Sequence, residues 1–212
     1  MKILLMGFSK VKYMPYANFY LDNLDGTKNE IHFLYWNRDT QTEDLTGFRD
    51  IQFHEFKVYQ EDEVAKFSKI RNFLRYKRFA VGVIKREKFD FIIFMHSLPG
   101  VLIANLLIKK YKNRYIFDYR DSTYERFSPF KRVIGRLVKY SYATFVSSDA
   151  FRKFLPKEEE GKIYTSHNLL LDSLNHRDEK VKHGIESDKI RIGFWGFIRH
   201  ENLNKETIKK VA

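Results

Sequence analysis

Short apolar runs alternate with longer helix-like segments along most of this chain, and that alternation limits the possible folds more than any other feature. Residues 89–96 and 114–119 are strand-sized and nearly continuous in apolar side chains, as in parallel strands covered on both faces. Helix-like segments separate such runs, which is typical of β-α-β units. The sequence therefore predicts an α/β fold, a Rossmann-like and mostly parallel sheet flanked by helices.

The predicted elements occupy the first 170 residues of the chain. Strands are predicted at residues 2–8, 31–36, 51–58, 89–96, 114–119, 143–147 and 162–165. Helices are predicted at residues 15–25, 62–86, 99–111, 129–142 and 149–155. Residues 171–189 are polar and are interpreted as a linker, and residues 190–212 resume a strand and a helix. Because that last unit has too little apolar surface for a core, we expect a first domain over 1–170 and the beginning of a second at 190.

The amino-acid composition excludes several kinds of protein and indicates what kind of partner to expect. The absence of cysteine excludes a disulfide framework, a zinc ribbon and thiol catalysis. No apolar run approaches the length of a bilayer span, and the polar residues soon after Met1 argue against a signal peptide, so we expect a cytosolic protein. Thirty-nine Lys and Arg against 27 Asp and Glu favour an anionic partner, which could be nucleic acid, a phosphorylated substrate or an acidic membrane surface.

His96 ends the fourth predicted strand, and the segment Asp118, Tyr119, Arg120, Asp121 ends the fifth. The carboxyl ends of parallel strands meet at one edge of a sheet, so these groups should lie together. The imidazole could take a proton from a hydroxyl or bind phosphate, or it could simply cap the next helix. Asp118 and Arg120 share one strand face; they could act on a ligand, or they could form a structural ion pair.

The predicted helix over 62–86 carries an apolar arc that we expect to face the sheet. The members of the arc are Phe67, Ile70, Phe73, Leu74, Val81 and Ile84. Beside it runs a basic stripe of Arg71, Arg75 and Arg78, with Phe79 and Tyr76 as exposed rings. Such a stripe suits an anionic phospholipid surface, but it could also follow a nucleic-acid backbone or be an ordinary solvated face.

Several common site motifs are missing from the sequence. The first loop, Gly7 to Lys10, has no GxGxxG pattern, and no Walker lysine motif, HExxH or GxSxG occurs. His167, His176 and His183 are scattered and do not make a metal set. We therefore expect no metal and no bound cofactor.

Four segments together resemble the N-terminal half of a GT-B glycosyltransferase, of the retaining family 4 type that builds capsular and lipopolysaccharide chains. The segments are MKILLMGFSK, IFDYRDS, ATFVSSDAFRKFLP, and SHNLLLD followed by RIGFWGFIRH. The first loop departs from the family pattern because it lacks the paired glycines.

The resemblance implies a metal-independent enzyme with a nucleoside-diphosphate sugar as donor and a lipid-linked or other glycan as acceptor. It implies catalytic roles for His96, Asp118 and Asp121, acceptor contacts from Gly7, Ser9, Lys10 and Arg120, and donor contacts from Gly196 and Arg199. Arg71, Arg75, Arg78 and Phe79 would meet the inner face of the cell membrane. Most donor-site residues would follow Ala212, so we expect the chain alone to be inactive or nearly so.

Two rival interpretations remain open at this stage. One is a non-enzymatic α/β module that binds nucleic acid through its basic face. No RNP or helix-turn-helix signature supports this alternative, so nucleic acid is not the partner that we expect. The other is a different Rossmann-like transferase or an epimerase.

Overall fold

The computed structural model describes residues 1–24, 26–48, 50–60, 66–121, 124 and 127–167. The strands are β1 (Lys2–Met6), β2 (Glu30–Asn37), β3 (Ile51–Lys57), β4 (Phe91–Phe94), β5 (Tyr115–Tyr119), β6 (Ala143–Val146) and β7 (Ile163–Thr165). The helices are α1 (Ala17–Leu24), α2 (Lys66–Glu87), α3 (Ser97–Leu102), α4 (Ala104–Lys110) and α5 (Ser128–Tyr140), and short 3₁₀ helices occupy Val11–Tyr13, Asp149–Phe154 and Lys157–Lys162. Each predicted strand of the first 170 residues is confirmed. The predicted linker and second domain lie outside the described residues.

The seven strands form one sheet in the order β3-β2-β1-β4-β5-β6-β7, and every neighbouring pair is parallel. The chain therefore moves outward from β1 to β3 and then crosses back to β4 on the other side of β1. This reversal places a topological switch point between β1 and β4, where open α/β sheets bind their ligands. The prediction of a Rossmann-like parallel sheet is confirmed.

The strand register aligns the carboxyl ends of the central strands. Met6 of β1 pairs with Leu34 and with Phe94, and Phe94 in turn pairs with Phe117. The loops after β1, β2, β4 and β5 consequently leave the sheet at one level, which we call the carboxyl edge. His96 and Asp118 lie at this same edge, as the sequence predicts.

Both faces of the sheet carry apolar layers, because side chains alternate along each strand. Leu4 and Met6 of β1 join a core beneath α2, α3, α4 and α5, whereas Ile3 and Leu5 join a second core beneath α1. In the first core Tyr115 also donates a hydrogen bond of 2.6 Å to the carbonyl oxygen of Leu137 in α5. The sheet is therefore packed between helices on its two faces.

The helix predicted at 99–111 begins earlier than expected and is interrupted. The helix expected at 99–111 begins at Ser97 and is divided at Ile103 into α3 and α4. It begins early because the His96 side chain accepts the backbone N–H of Leu98 and so caps it. Pro99 then falls in the first turn, where a missing amide donor is tolerated. The segment expected as a helix at 149–155 is a 3₁₀ helix.

The predicted orientation of α2 is correct for only half of the expected apolar arc, because Phe73, Val81 and Ile84 pack against the core whereas the other three members do not. Phe67, Ile70 and Leu74 are 87%, 55% and 53% exposed and point away from the sheet. The fully buried positions of the helix are Asn72, Tyr76, Ala80, Val83 and Ile84, of which only Ile84 belongs to the expected arc. Tyr76, expected as an exposed ring beside the basic stripe, has no exposed surface, and Phe79 is half-buried against Phe56 with ring centroids 5.4 Å apart.

An aromatic cluster explains why α2 turns this side inward. Tyr76 stacks on Trp36 at 5.6 Å, meets Phe8 edge-on at 5.0 Å, and donates a hydrogen bond of 2.5 Å to the carbonyl oxygen of Gly7. Aromatic pairs add stabilisation beyond their buried area, and a buried hydroxyl needs a partner. Those gains fix the rotation of the helix and leave its smaller apolar arc in solvent.

Candidate functional site

His96 and Asp121 meet at the carboxyl edge, beside the switch point between β1 and β4. The Nε2 atom of His96 lies 3.2 Å from an Asp121 carboxylate oxygen, and their side chains are 22% and 66% exposed. His96 follows the end of β4 and Asp121 follows the end of β5, so neighbouring parallel strands bring the two together. The predicted proximity of these residues is confirmed.

The second ring nitrogen of His96 fixes the tautomer. Nδ1 accepts the backbone N–H of Leu98 at 3.4 Å, so Nε2 carries the proton and donates to Asp121. His96 thus caps α3 and holds Asp121 at the same time, which combines the two alternatives that the sequence left open. The hydrogen bond from His96 lowers the pKa of Asp121, so this carboxylate is ionised at neutral pH.

Asp118 and Arg120 form a buried ion pair one step deeper in the sheet. The Arg120 Nε atom lies 2.6 Å from one Asp118 oxygen, and the Tyr20 hydroxyl donates to the other at 2.7 Å. Asp118 is completely buried and Arg120 is 2% exposed. Burial raises the pKa of Asp118, and Arg120 and Tyr20 act against that rise. Asp121 is consequently the carboxylate of this motif that faces solvent.

Arg120 also ties the surrounding segments together. Its Nη1 donates a hydrogen bond of 2.7 Å to the carbonyl oxygen of Ser166, and its own carbonyl accepts the Ser147 hydroxyl at 3.0 Å. The guanidinium carbon lies 5.0 Å from the centre of the Tyr16 ring, which packs as a cation–π pair. The backbone position of Asp121 is therefore set by a chain of buried contacts.

Sequence reasoning missed Tyr16 and Tyr20. They lie four residues apart, one just before α1 and one within it, and this spacing puts both rings on the same side, toward β5. The available signal was that i, i+4 pair of tyrosines directly after the first loop, at the edge where β5 ends.

The first loop approaches the site through its backbone. The Gly7 carbonyl oxygen accepts the Tyr76 hydroxyl, and a side chain at Gly7 would contact the end of the Met14 side chain, which would have to shift. Ser9 is half-buried in the same loop. Lys10 is only 2% exposed, and its ammonium group is ion-paired with Asp39.

Acidic residues after β2 also satisfy the amides that follow this loop. Glu43 accepts the backbone N–H groups of Val11 and Lys12 at 3.3 Å and 2.8 Å. The predicted cation of the first loop and its neighbouring amides are thus engaged by the chain's own carboxylates. A ligand anion would reach Lys10 by exchanging with Asp39.

Phe8 links the first loop to both sides of the carboxyl edge. Its ring is stacked on the His96 imidazole with centroids 6.1 Å apart, and the guanidinium carbon of Arg38 lies 4.7 Å from its centre. Arg38 follows β2 and was not singled out from the sequence. Arg38, Phe8, His96 and Asp121 therefore run in order across β2, β1, β4 and β5, with a cation at one end and a carboxylate at the other. Such an edge suits a polar ligand that carries both hydroxyl and anionic groups.

The sequence also led to predictions about metal binding, the remaining histidines, the donor contacts and membrane-spanning helices. Among the described residues no cluster of His, Asp and Glu is arranged to hold a metal ion. His167 lies with Nδ1 3.1 Å from the Ser147 carbonyl oxygen, whereas His176, His183, Gly196 and Arg199 lie outside the described residues. No described helix combines the length and apolar character needed to cross a membrane.

A pair of histidines lies within the sheet, away from this edge. His32 of β2 is completely buried, and its Nδ1 atom lies 2.8 Å from Nε2 of His54 in β3. The His32 Nε2 atom pairs with Glu30 at 2.8 Å, and Lys2 reaches Glu30 and Glu87. The two imidazoles are buried in the sheet, whereas the Glu30 side chain at the end of this cluster is 58% exposed.

No family model matches this sequence, and no curated protein matches it at a significant level.

Proposed function

We propose that this chain is the acceptor-side domain of a retaining, metal-independent glycosyltransferase of the GT-B type. Its donor is a nucleoside-diphosphate sugar, and its acceptor is a lipid-linked glycan in surface polysaccharide synthesis. The observation that carries the proposal is the His96–Asp121 pair beside the switch point of a Rossmann-like sheet. The resemblance of IFDYRDS and the other three segments to family 4 enzymes supports the same class.

In this proposal Asp121 orients the acceptor hydroxyl. It is the exposed carboxylate of the site, and its lowered pKa makes it a permanent hydrogen-bond acceptor near neutral pH. The same lowered pKa makes it a weak base, because proton abstraction is most efficient when the pKa lies near the working pH. Alignment of the attacking oxygen, more than full deprotonation, is its contribution.

His96 acts on the acceptor through Asp121. Its Nε2–H group holds one carboxylate oxygen and leaves the other to meet the hydroxyl. Asp118 and Arg120 fix the end of β5, so they position Asp121 from beneath and do not themselves contact the ligand. These roles divide the four predicted residues that follow or end β4 and β5 into one contacting residue, Asp121, and three positioning residues, His96, Asp118 and Arg120.

The leaving diphosphate would be stabilised by amides and cations, as in other metal-free phosphate sites. On this domain Lys10 belongs to the first loop, Arg38 packs against Phe8 of the same loop, and Gly7 and Ser9 supply its backbone. A doubly charged phosphate competes well with the single carboxylate of Asp39 for Lys10. Gly196 and Arg199 are the proposed donor contacts from the following domain.

A transfer assay tests the proposal. The full-length gene product is incubated with a panel of labelled nucleoside-diphosphate sugars and a lipid extract, with and without a chelator. We expect label to move into the lipid fraction, and we expect the chelator to leave the rate unchanged. Label that stays on the nucleotide as a different sugar would favour the epimerase, and loss of transfer with the chelator would contradict a metal-independent reaction.

A further inference from the structure

The outward side of α2 is an exposed surface of mixed apolar and basic character. Three apolar side chains, Phe67, Ile70 and Leu74, are each more than half exposed. Arg71, Arg75 and Arg78 are exposed on the same side. We call these six residues the α2 outer face.

Helical spacing makes these six residues one surface. At 100 degrees per residue, Phe67, Leu74 and Arg78 are nearly aligned along the helix, and Ile70, Arg71 and Arg75 flank that line. The helix is also strongly basic, since its 22 residues include eight Lys or Arg and a single acid, Glu87, at the last position. The outer face therefore combines a hydrophobic ridge with three exposed cations.

The exposure of the ridge is a consequence of how α2 is anchored. Turning Phe67 and Leu74 toward the sheet would remove Tyr76 from its stack on Trp36 and from its hydrogen bond to Gly7. The apolar ridge therefore stays in solvent in the folded domain. A contiguous apolar surface rimmed by charge is typical of an interaction site.

The ridge also lies near the candidate site. Phe73, on the inner side of the same turns, packs against Phe8 with ring centroids 5.6 Å apart, and Phe8 stacks on His96. The N-terminal half of α2 thus belongs to the carboxyl edge. Any surface that binds the α2 outer face comes to lie beside the edge where His96 and Asp121 meet.

We propose that the α2 outer face docks on an anionic lipid bilayer. Arg71, Arg75 and Arg78 contact the headgroups, and Phe67, Ile70 and Leu74 enter the interface between headgroups and acyl chains. This inference deepens the proposed function, because a lipid-linked acceptor would be delivered at the carboxyl edge. The reason for docking rests on the proposed function, but bilayer binding itself can be measured without turnover.

A bilayer fits this surface better than nucleic acid does. Cations account for binding to a phosphate backbone, and of the three apolar side chains only Phe67 has a ring on which a base could stack, so Ile70 and Leu74 would have no role. An interfacial helix needs both components, because the apolar side chains must leave water while the cations meet anionic lipid. The two kinds of residue therefore give separate tests.

Co-sedimentation of the 212-residue chain with vesicles tests the proposal. Vesicles of phosphatidylglycerol and phosphatidylcholine are compared with pure phosphatidylcholine vesicles, at low and high salt. We expect binding to the anionic vesicles that weakens as salt rises. One triple variant replaces Arg71, Arg75 and Arg78 with Gln. Each cation near an anionic surface contributes about fivefold in affinity, so this variant should lose roughly a hundredfold.

A second triple variant, with Phe67, Ile70 and Leu74 replaced by Ser, should lose binding to a comparable degree and should not unfold, because these side chains are already exposed. The matched control replaces Lys131, Arg132 and Arg136 with Gln, since these are exposed cations on α5. The control should bind anionic vesicles nearly as the wild type does. Circular dichroism verifies that each variant is folded.

Three results would overturn the proposal. The first is unchanged vesicle binding in either α2 variant, and the second is an equal loss in the α5 control, which would indicate unspecific attraction. The third is salt-sensitive binding to a single-stranded oligonucleotide that exceeds vesicle binding and ignores the apolar variant, which would assign the face to nucleic acid. Transfer to a detergent-solubilised acceptor is measured in parallel. If it persists while vesicle binding fails, only the docking proposal is lost.

Discussion

Lowering the pH from 7 to 5 should destabilise this protein through the buried imidazole of His54. This side chain is 8% exposed in β3, where it stacks on His32 with ring centroids 5.1 Å apart. Burial lowers the pKa of His54 from its ordinary value of 6.5 to about 4, and electrostatic interactions with His32, Arg86 and Lys2 contribute to the decrease. Glu87 acts in the opposite direction but does not offset it.

The direction and size of this change in stability follow from the difference in proton binding between the folded and unfolded chains. Between pH 6.5 and pH 4 the unfolded chain carries a proton on His54 that the folded chain does not accept, so stability falls as the pH falls through this window. Above pH 6.5 the contribution of His54 is fully present. Taking these two pKa values, the loss between pH 7 and pH 5 is about 2 kcal/mol of unfolding free energy. That is a large share of the total for a typical domain.

Urea unfolding followed by circular dichroism at pH 7, 6 and 5 measures the effect. The variant His54→Gln serves as comparison, because an amide can hold a hydrogen bond to His32 without titrating. We expect the variant to be less stable than the wild type at pH 7 and the difference to shrink by about 2 kcal/mol at pH 5. Parallel pH dependence of the two proteins would refute the assignment of this effect to His54.

Two further predictions concern contacts that hold the fold around the site. Replacing Asp118 with Asn removes the carboxylate that pairs with the buried Arg120 guanidinium, so thermal or urea unfolding should show a loss of about 3–5 kcal/mol. A loss below about 1 kcal/mol would mean that the pair is not buried as described. Replacing Tyr76 with Ala should cost about 3–5 kcal/mol, whereas Phe67→Ala should change stability by less than about 0.5 kcal/mol. Similar losses in both variants would contradict the orientation of α2.

The strand pattern could be predicted from the sequence because burial on both sheet faces leaves a strong local signal. The runs that became β4 and β5 are continuous in apolar residues, and the polar groups that follow them had to meet at one edge once the strands were parallel. The proximity of His96 and Asp121 is a consequence of that topology. It required no knowledge of side-chain packing.

The orientation of α2 could not be predicted in the same way. Its apolar residues cover more than one side of the helix, so periodicity alone allows several rotations, and the choice depends on contacts with distant strands. Tyr76 settles it by stacking on Trp36 and bonding to Gly7, 69 residues earlier. The hydrogen bond from Tyr20 to Asp118 likewise joins residues that are far apart in sequence, with a separation of 98 residues. Long-range polar and aromatic partners leave no local pattern.

The most direct test of the central claim separates turnover from donor binding in the Asp121→Asn variant of the full-length gene product. Because Asp121 is proposed to align only the acceptor hydroxyl, we expect turnover to fall by about a hundredfold while the donor dissociation constant changes little. His96→Ala should follow the same pattern, and Asp22→Asn, an exposed carboxylate on α1, should behave as wild type. Near-wild-type turnover in both site variants would contradict the claim that the carboxyl edge holds the acceptor.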